Sequence, residues 1–275
     1  MDYFHKLTQT VSRALEEDIR TGDVTAILVD PEKKAHAKII TRQSAVVCGR
    51  PWVDEVLRQV DATITSKWHT KDGDQVQAGA LLLELSGMAR SLLTAERTAL
   101  NFLQLLCGTA TRTNAYVQMV EGTGATLLDT RKTIPGLRLA QKYAVKTGGA
   151  ENHRIGLFDA FLIKENHIAA CGGIDAAVSK AKALYPRKPV EIEVQNLNEL
   201  EQAISAEADI VMLDNFDRSD IVKAVKLNNG RLKLEASGGI DADILVSIAE
   251  TGVDYISLGA LTKNCQATDL SLLIE

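Results

Sequence analysis

Val190-Glu191-Ile192-Glu193-Val194, Ile210-Val211-Met212-Leu213 and Leu232-Lys233-Leu234-Glu235-Ala236 are short, largely apolar, β-branched runs. Stretches of helical periodicity at 197–206 and 218–227 separate them. Apolar strands alternating with helices are parallel strands covered by those helices. The rhythm continues outward. Upstream, Ala125–Leu128 and Ala160–Ile163 precede helical stretches at 137–147 and 174–184. Downstream, a stretch at 241–250 leads into Val253–Leu258. Six strand–helix units, with no Gly-x-Gly-x-x-Gly turn after the first strand, predict a closed or nearly closed α/β barrel and not a dinucleotide-binding sheet.

Before about residue 105 the pattern is mixed. Leu7, Val11 and Leu15 lie four apart, as on an amphipathic helix. Ala35–Val47 is strand-like, and Trp52–Val60 and Ser91–Cys107 are helical. Residues 63–85 are short strands, with a hairpin signal at Lys71-Asp72-Gly73-Asp74. That piece is similar to the turn of biotinyl and lipoyl carriers but lacks their modifiable lysine, so it is a local turn and no carrier site.

The chain has 275 residues, 45% hydrophobic and 24% charged, which excludes a disordered chain or a coiled coil. No apolar run reaches the roughly 18 residues of a membrane helix. Met1-Asp2-Tyr3-Phe4-His5-Lys6 opens no signal peptide, so a cytoplasmic protein is expected. The net charge of −5 argues against nucleic-acid or membrane-surface partners. Any anionic ligand must then be held by a local basic cluster. Cys48, Cys107, Cys171 and Cys265 form no metal-ligand spacing and are expected to be reduced, mostly buried thiols. His5, His36 and His69 are expected at the surface.

Chemistry in an α/β barrel collects at the C-terminal ends of the strands. Past the first run stand Asp129-Thr130-Arg131-Lys132-Thr133, and past the second Lys164-Glu165-Asn166-His167. The third carries Glu193, the fourth Asp214-Asn215, the fifth Ser237-Gly238-Gly239, and the sixth, from Leu258, Gly259-Ala260. Basic groups thus face two carboxylates and two glycine-containing turns. Such turns hold phosphates through backbone N–H groups and a following helix N-terminus, here at 240–250. The carboxylates suit Mg²⁺ or ribose hydroxyls. Alternatively, Glu193 and Asp214 are interior partners of the basic residues. Arg138, Lys142 and Lys146 read as a solvated helix face. Arg131, Lys132, Arg154 and Lys164 read as anion ligands, because a lysine ending Ala-Phe-Leu-Ile is costly without one. Glu235, inside a strand, is expected to face a positive partner.

These segments closely resemble quinolinate phosphoribosyltransferases along essentially the whole chain. The resemblance rests on Glu17-Asp18-Ile19, Thr94-Ala95-Glu96-Arg97-Thr98-Ala99-Leu100-Asn101, Asp129-Thr130-Arg131-Lys132-Thr133 and Asn152-His153-Arg154. It continues through Leu162-Ile163-Lys164-Glu165-Asn166-His167, Leu213-Asp214-Asn215, Glu235-Ala236-Ser237-Gly238-Gly239 and Gly259-Ala260-Leu261-Thr262. It implies an N-terminal α/β sandwich at 1–106 and an irregular, TIM-like barrel of about six strands at 107–267, with the tail 268–275 returning to the sandwich. It implies the joining of quinolinate to 5-phosphoribosyl 1-pyrophosphate, giving nicotinate mononucleotide, pyrophosphate and CO₂ on the route to NAD. Quinolinate would meet Thr130, Arg131, Lys132, His153, Arg154 and Lys164, with Arg97 arriving from a second subunit of a homodimer or a hexamer of dimers. The phosphoribosyl side would take Lys132, Glu193, Asp214, Ser237–Gly239 and Leu258–Ala260, with Mg²⁺ on Glu193 and Asp214 directly or through water. Lys132, Lys164, Glu193 and Asp214 would be catalytic. A non-decarboxylating phosphoribosyltransferase for another anionic base, a Schiff-base aldolase using Lys164, and a non-catalytic phosphosugar-binding protein are the alternatives.

Overall fold

A computed structural model describes residues 2–275. By contacts the chain forms two compact units. One takes the chain up to Asn114 with Thr133–Gly149 and Leu261–Glu275, and the other takes Ala115–Lys132 and Ala150–Ala260. Among the described residues, no helix is long and apolar enough to cross a membrane.

In the first unit α1 (Leu7–Ile19) buries Val11 and Leu15 of its apolar stripe. β1 (Lys34–Thr41) alternates, with Ala35, Ala37, Ile39 and Thr41 buried. β2 (Ala45–Val46), α2 (Arg50–Val60), β3 (Thr65–Trp68), β4 (Gln75–Val76), β5 (Leu81–Met88) and α3 (Ala89–Met119) follow, the residues of α3 after Asn114 counting with the second unit. β1 pairs with β5 on one side and with the C-terminal strand Leu270–Ile274 on the other, and β3 closes the four-stranded antiparallel sheet beyond β5. The expected hairpin at Lys71–Asp74 is a turn between β3 and β4, but these strands do not pair with each other. β3 pairs with β5 and β4 with β2, because tertiary partners and not the turn set the register.

α3 is longer than its expected span and runs unbroken past residue 107. Gly108 stands where a Cβ would lie 1.9 Å from the Gln266 carbonyl oxygen, a backbone atom. Gly108→Ala should therefore destabilise this unit by about 1–3 kcal/mol, the usual cost of overpacking; an unchanged melting temperature would contradict it. In α4 (Arg138–Thr147) only part of the expected solvated face exists. Lys146 is exposed and Arg138 partly so, but Lys142 is fully buried alongside Ala140, Gln141, Ala144 and Val145. The helix buries a face too broad for a polar pattern to outline. Of the four thiols, Cys48 and Cys107 are buried, while Cys171 is partly and Cys265 fully exposed.

The second unit carries the six apolar runs as six parallel strands: β6 (Thr126–Leu128), β7 (Phe161–Ile163), β8 (Val190–Val194), β9 (Ile210–Asp214), β10 (Lys233–Ser237) and β11 (Tyr255–Ser257). Their order is β6-β11-β10-β9-β8-β7. The connecting helices are α5 (Glu165–Cys171), α6 (Ile174–Leu184), α7 (Leu197–Ser205), α8 (Arg218–Asn228) and α9 (Ala242–Ala249), and α10 (Ala260–Lys263) follows β11. β6 and β7 are the sheet's two ends and do not pair. On the free edge of β6, Glu151 makes a single parallel bridge to Leu128. Its N–H donates to Leu127 O at 2.9 Å, and its carbonyl accepts from Asp129 N at 3.2 Å. This bridge delivers Asn152, His153 and Arg154 to the same end of the barrel as Asp129–Lys132.

Candidate active site

Four sequence segments meet at the strand ends of β6, β7 and β8. Asp129, the residue after β6, is wholly buried and holds the incoming segment. One carboxylate oxygen accepts from the His153 N–H at 2.9 Å and the other from Asn152 Nδ2 at 2.7 Å. Arg131 and Lys132 follow Thr130, whose hydroxyl accepts from the Lys132 N–H at 3.1 Å. The Arg154 guanidinium is held below its ordinary pKa, first by burial and then by the charge of Arg131. The charges of Glu191 and Asp159 act against that lowering. At the end of β7, Lys164 Nζ donates to Glu193 Oε2 on neighbouring β8; the lysine is half-exposed and the glutamate nearly buried. Glu193 is thus an ionic partner of the basic wall as well as a strand-end carboxylate.

Beneath Arg154 lies a buried cluster. His153 Nε2 is 2.8 Å from Glu191 Oε2 and 3.4 Å from Glu235 Oε2. Glu235 therefore faces the His153 ring, where the sequence led to the expectation of a positive partner. The ring's other nitrogen, Nδ1, accepts the Arg154 N–H at 2.8 Å. Burial opposes a charge on this ring, but the two carboxylates outweigh it and lift the His153 pKa to about 10. Burial likewise raises Glu191, to about 7, with His153 acting against the rise and Glu235 adding to it. The group therefore keeps an extra proton near neutral pH. Because the Arg154 amide occupies the Nδ1 lone pair, we place that proton on the carboxylate pair and the ring's own hydrogen on Nε2. The three ligand atoms lie within 4.8 Å of one another, a spacing that suits a cation. A nitrogen that carries the ring hydrogen is no metal ligand, so the cluster is a hydrogen-bonded one.

The opposite rim is made of turns. Asp214 ends β9 and accepts from Asn215 Nδ2 at 2.9 Å, while the Asn215 N–H donates to Ser237 O at 2.9 Å. The Ser237 and Ser257 hydroxyls lie 3.0 Å apart. Gly238 and Gly239 have φ of +95° and +63°. After β11, a Cβ on Gly259 would sit 3.0 Å from Lys132 Cδ, so the Lys132 side chain runs directly over the Leu258–Ala260 turn. One expectation is corrected here. The N-terminus of α9 is closed by its own cap, Asp241, whose carboxylate accepts from the Asp243 and Ile244 N–H groups at 3.1 and 3.4 Å. Two amides of its first turn are taken by that cap and the turn is acidic, which leaves the strand-end turns themselves as the better phosphate donors.

The family model for the N-terminal domain of quinolinate phosphoribosyl transferase matches residues 23–107, and that for the C-terminal domain matches residues 109–273. The chain belongs to the quinolinate phosphoribosyltransferase family. A probable nicotinate-nucleotide pyrophosphorylase [carboxylating] from Bacillus subtilis is 40% identical, over 97% of this chain and 93% of its own. The nicotinate-nucleotide pyrophosphorylase [carboxylating] of Mycobacterium leprae is 39% identical, over 98% of this chain and 97% of its own. The solved nicotinate-nucleotide pyrophosphorylase from Francisella tularensis superposes with a TM-score of 0.97 at 54% identity, covering 98% of this chain and 96% of that one.

Within this quinolinate phosphoribosyltransferase fold, one end of the barrel unit gathers Thr130, Arg131, Lys132, His153, Arg154, Lys164, Glu193, Asp214, Ser237, Gly238, Gly239, Leu258, Gly259 and Ala260. Arg97 is not among them. It sits on α3 in the first unit, with its side chain 61% exposed and 3.7 Å from Glu96. Sequence reasoning missed the supporting carboxylates Asp129 and Glu191. The available signal was a charge at the end of, or inside, an otherwise apolar strand.

Proposed function

We infer that this protein transfers the phosphoribosyl group of 5-phosphoribosyl 1-pyrophosphate to the ring nitrogen of quinolinate and releases CO₂, forming nicotinate mononucleotide. Within the structure, the observation that carries this reading is that Asp129 ties the segment bearing Arg154 to the strand end that bears Arg131, a basic wall that suits a dicarboxylate. Arg131, Arg154 and Lys164 would grip the two carboxylates by charge-assisted hydrogen bonds, with Thr130 and Lys132 beside them. Lys132, lying over the Gly259 turn, would also reach the phosphate side. The Ser237–Gly239 and Leu258–Ala260 turns would take the 5′-phosphate, and Glu193 and Asp214 the ribose hydroxyls. Arg97 would reach the site of a second subunit, in a homodimer or a hexamer of dimers.

Two hard oxygen donors at the ends of neighbouring strands β8 and β9 fit Mg²⁺. When bound, Mg²⁺ supplies charge neutralisation to the pyrophosphate. The residues themselves do the rest by positioning and electrostatics. The pyridine nitrogen carries no proton, so its attack on ribose C1 needs no general base, and pyrophosphate departs with the C1–O electron pair. The carboxylate adjacent to the new pyridinium then leaves as CO₂. The electron pair stays on the ring carbon beside the positive nitrogen and is quenched by a proton.

Purified protein with quinolinate, 5-phosphoribosyl 1-pyrophosphate and Mg²⁺ should give nicotinate mononucleotide with one CO₂ per product, read by mass spectrometry and gas release. Turnover with another anionic base but none with quinolinate would keep the phosphoribosyl side and overturn the dicarboxylate wall.

A further inference from the structure

The buried Glu191–Glu235–His153 cluster touches no substrate in the reaction above, yet it lies directly under the clamp. Both carboxylates are almost completely buried; Glu191 Oε1 and Glu235 Oε1 have no hydrogen-bond partner, and Glu235 Oε2 has only the long 3.4 Å approach of His153 Nε2. A core built for stability alone would hold apolar residues of similar volume here, since buried charges seldom repay their desolvation. What the arrangement does provide is a fixed ring. Nε2 is tied to Glu191 at 2.8 Å with Glu235 behind it at 3.4 Å, and Nδ1 meets the Arg154 amide at 2.8 Å. The neighbouring backbone is tied from both sides. Asp129 holds the His153 N–H, and Asp159 holds those of Ile155 and Gly156 at 2.7 and 2.9 Å.

We propose that Glu191, backed by Glu235, is a positioning residue for dicarboxylate recognition. It holds the His153 ring by Nε2 so that Nδ1 receives the Arg154 amide hydrogen and sets where the Arg154 side chain leaves the chain. The proposal rests on the reading that Arg154 grips a quinolinate carboxylate. It assigns His153 an inward task, because both ring nitrogens are engaged away from any ligand. Small displacements of such a group are expensive, a shift of about 1 Å costing up to about 100-fold.

The test compares Glu191→Met, Glu191→Gln and Arg154→Ala in the full-length enzyme. The readouts are the KM for each substrate, kcat and the melting temperature. Glu191→Met keeps the volume but removes the acceptor. It should raise the quinolinate KM about 10-fold, leave the KM for 5-phosphoribosyl 1-pyrophosphate unchanged, and melt no lower than the parent. Glu191→Gln keeps an acceptor oxygen and should stay within about 3-fold of the parent. If Arg154→Ala raises the quinolinate KM but Glu191→Met does not, the positioning role is wrong. The same holds if Glu191→Met melts lower and loses affinity for both substrates alike. If Arg154→Ala itself leaves quinolinate binding intact, the substrate reading underneath has failed instead.

Discussion

Lys164→Ala lowers kcat/KM for nicotinate mononucleotide formation by about 10³-fold, or about 4 kcal/mol. Two losses add up to that figure. The first is a charge-assisted bond to a substrate carboxylate, worth about 1.5–3 kcal/mol. The second is the neutralisation of Glu193, which accepts from Lys164 Nζ in a nearly buried position. Without that ammonium, a carboxylate faces an incoming dianion, and like charges a few ångströms apart near a protein surface cost up to about 4 kcal/mol. Folding should change little, because the lysine side chain is 45% exposed. A fall in melting temperature of more than about 5 °C would point to a structural role instead. The double variant Lys164→Ala/Glu193→Ala separates the two losses. It should recover part of the quinolinate affinity, since the unpaired carboxylate has gone too. Turnover of Lys164→Ala within tenfold of the parent would remove this residue from the site.

The barrel was legible in the sequence because strands covered on both faces stay largely apolar, and runs such as Ile210–Leu213 show no helical period. Their boundaries fall within a residue or two of the strands seen. The candidate site stands out for a related reason: a polar residue that ends or follows such a run lies at the strand end, as Asp214 and Lys164 do. What failed to show has physical causes as well. The segment at 150–152 joins the sheet by one bridge, too short to leave a periodic trace. Glu191 alternates with Glu193 along β8, so both face the same side, but nothing local says that one reaches the rim while the other stays sealed under His153. Lys142 has the spacing of a solvent-facing lysine, and only its packing reveals otherwise. The Asp241 cap was readable, since an aspartate precedes the apolar turn of α9; expecting a phosphate there hid it.

Gly238→Ala should weaken binding of 5-phosphoribosyl 1-pyrophosphate by about 100-fold, or about 2.7 kcal/mol. The backbone there has φ of +95°, where a side chain costs about 1–3 kcal/mol in strain. Space is a second obstacle. An added Cβ would lie 2.2 Å from Asn215 Oδ1 and 2.9 Å from the Asn215 backbone nitrogen. The side-chain contact can swing away, but the backbone one cannot, because that same N–H donates to Ser237 O. Asn215 must therefore move, and with it Asp214, which accepts from Asn215 Nδ2. One methyl group thus disturbs both the glycine turn and the adjoining carboxylate. Gly239 provides the contrast, with φ of +63° but nothing within 4 Å of a Cβ. Gly239→Asn, a residue that tolerates this left-handed conformation, should cost less than tenfold. Calorimetric titration of both variants with 5-phosphoribosyl 1-pyrophosphate distinguishes the causes. Equal losses would mean that backbone conformation alone matters, and unchanged binding by Gly238→Ala would take the phosphate away from this turn.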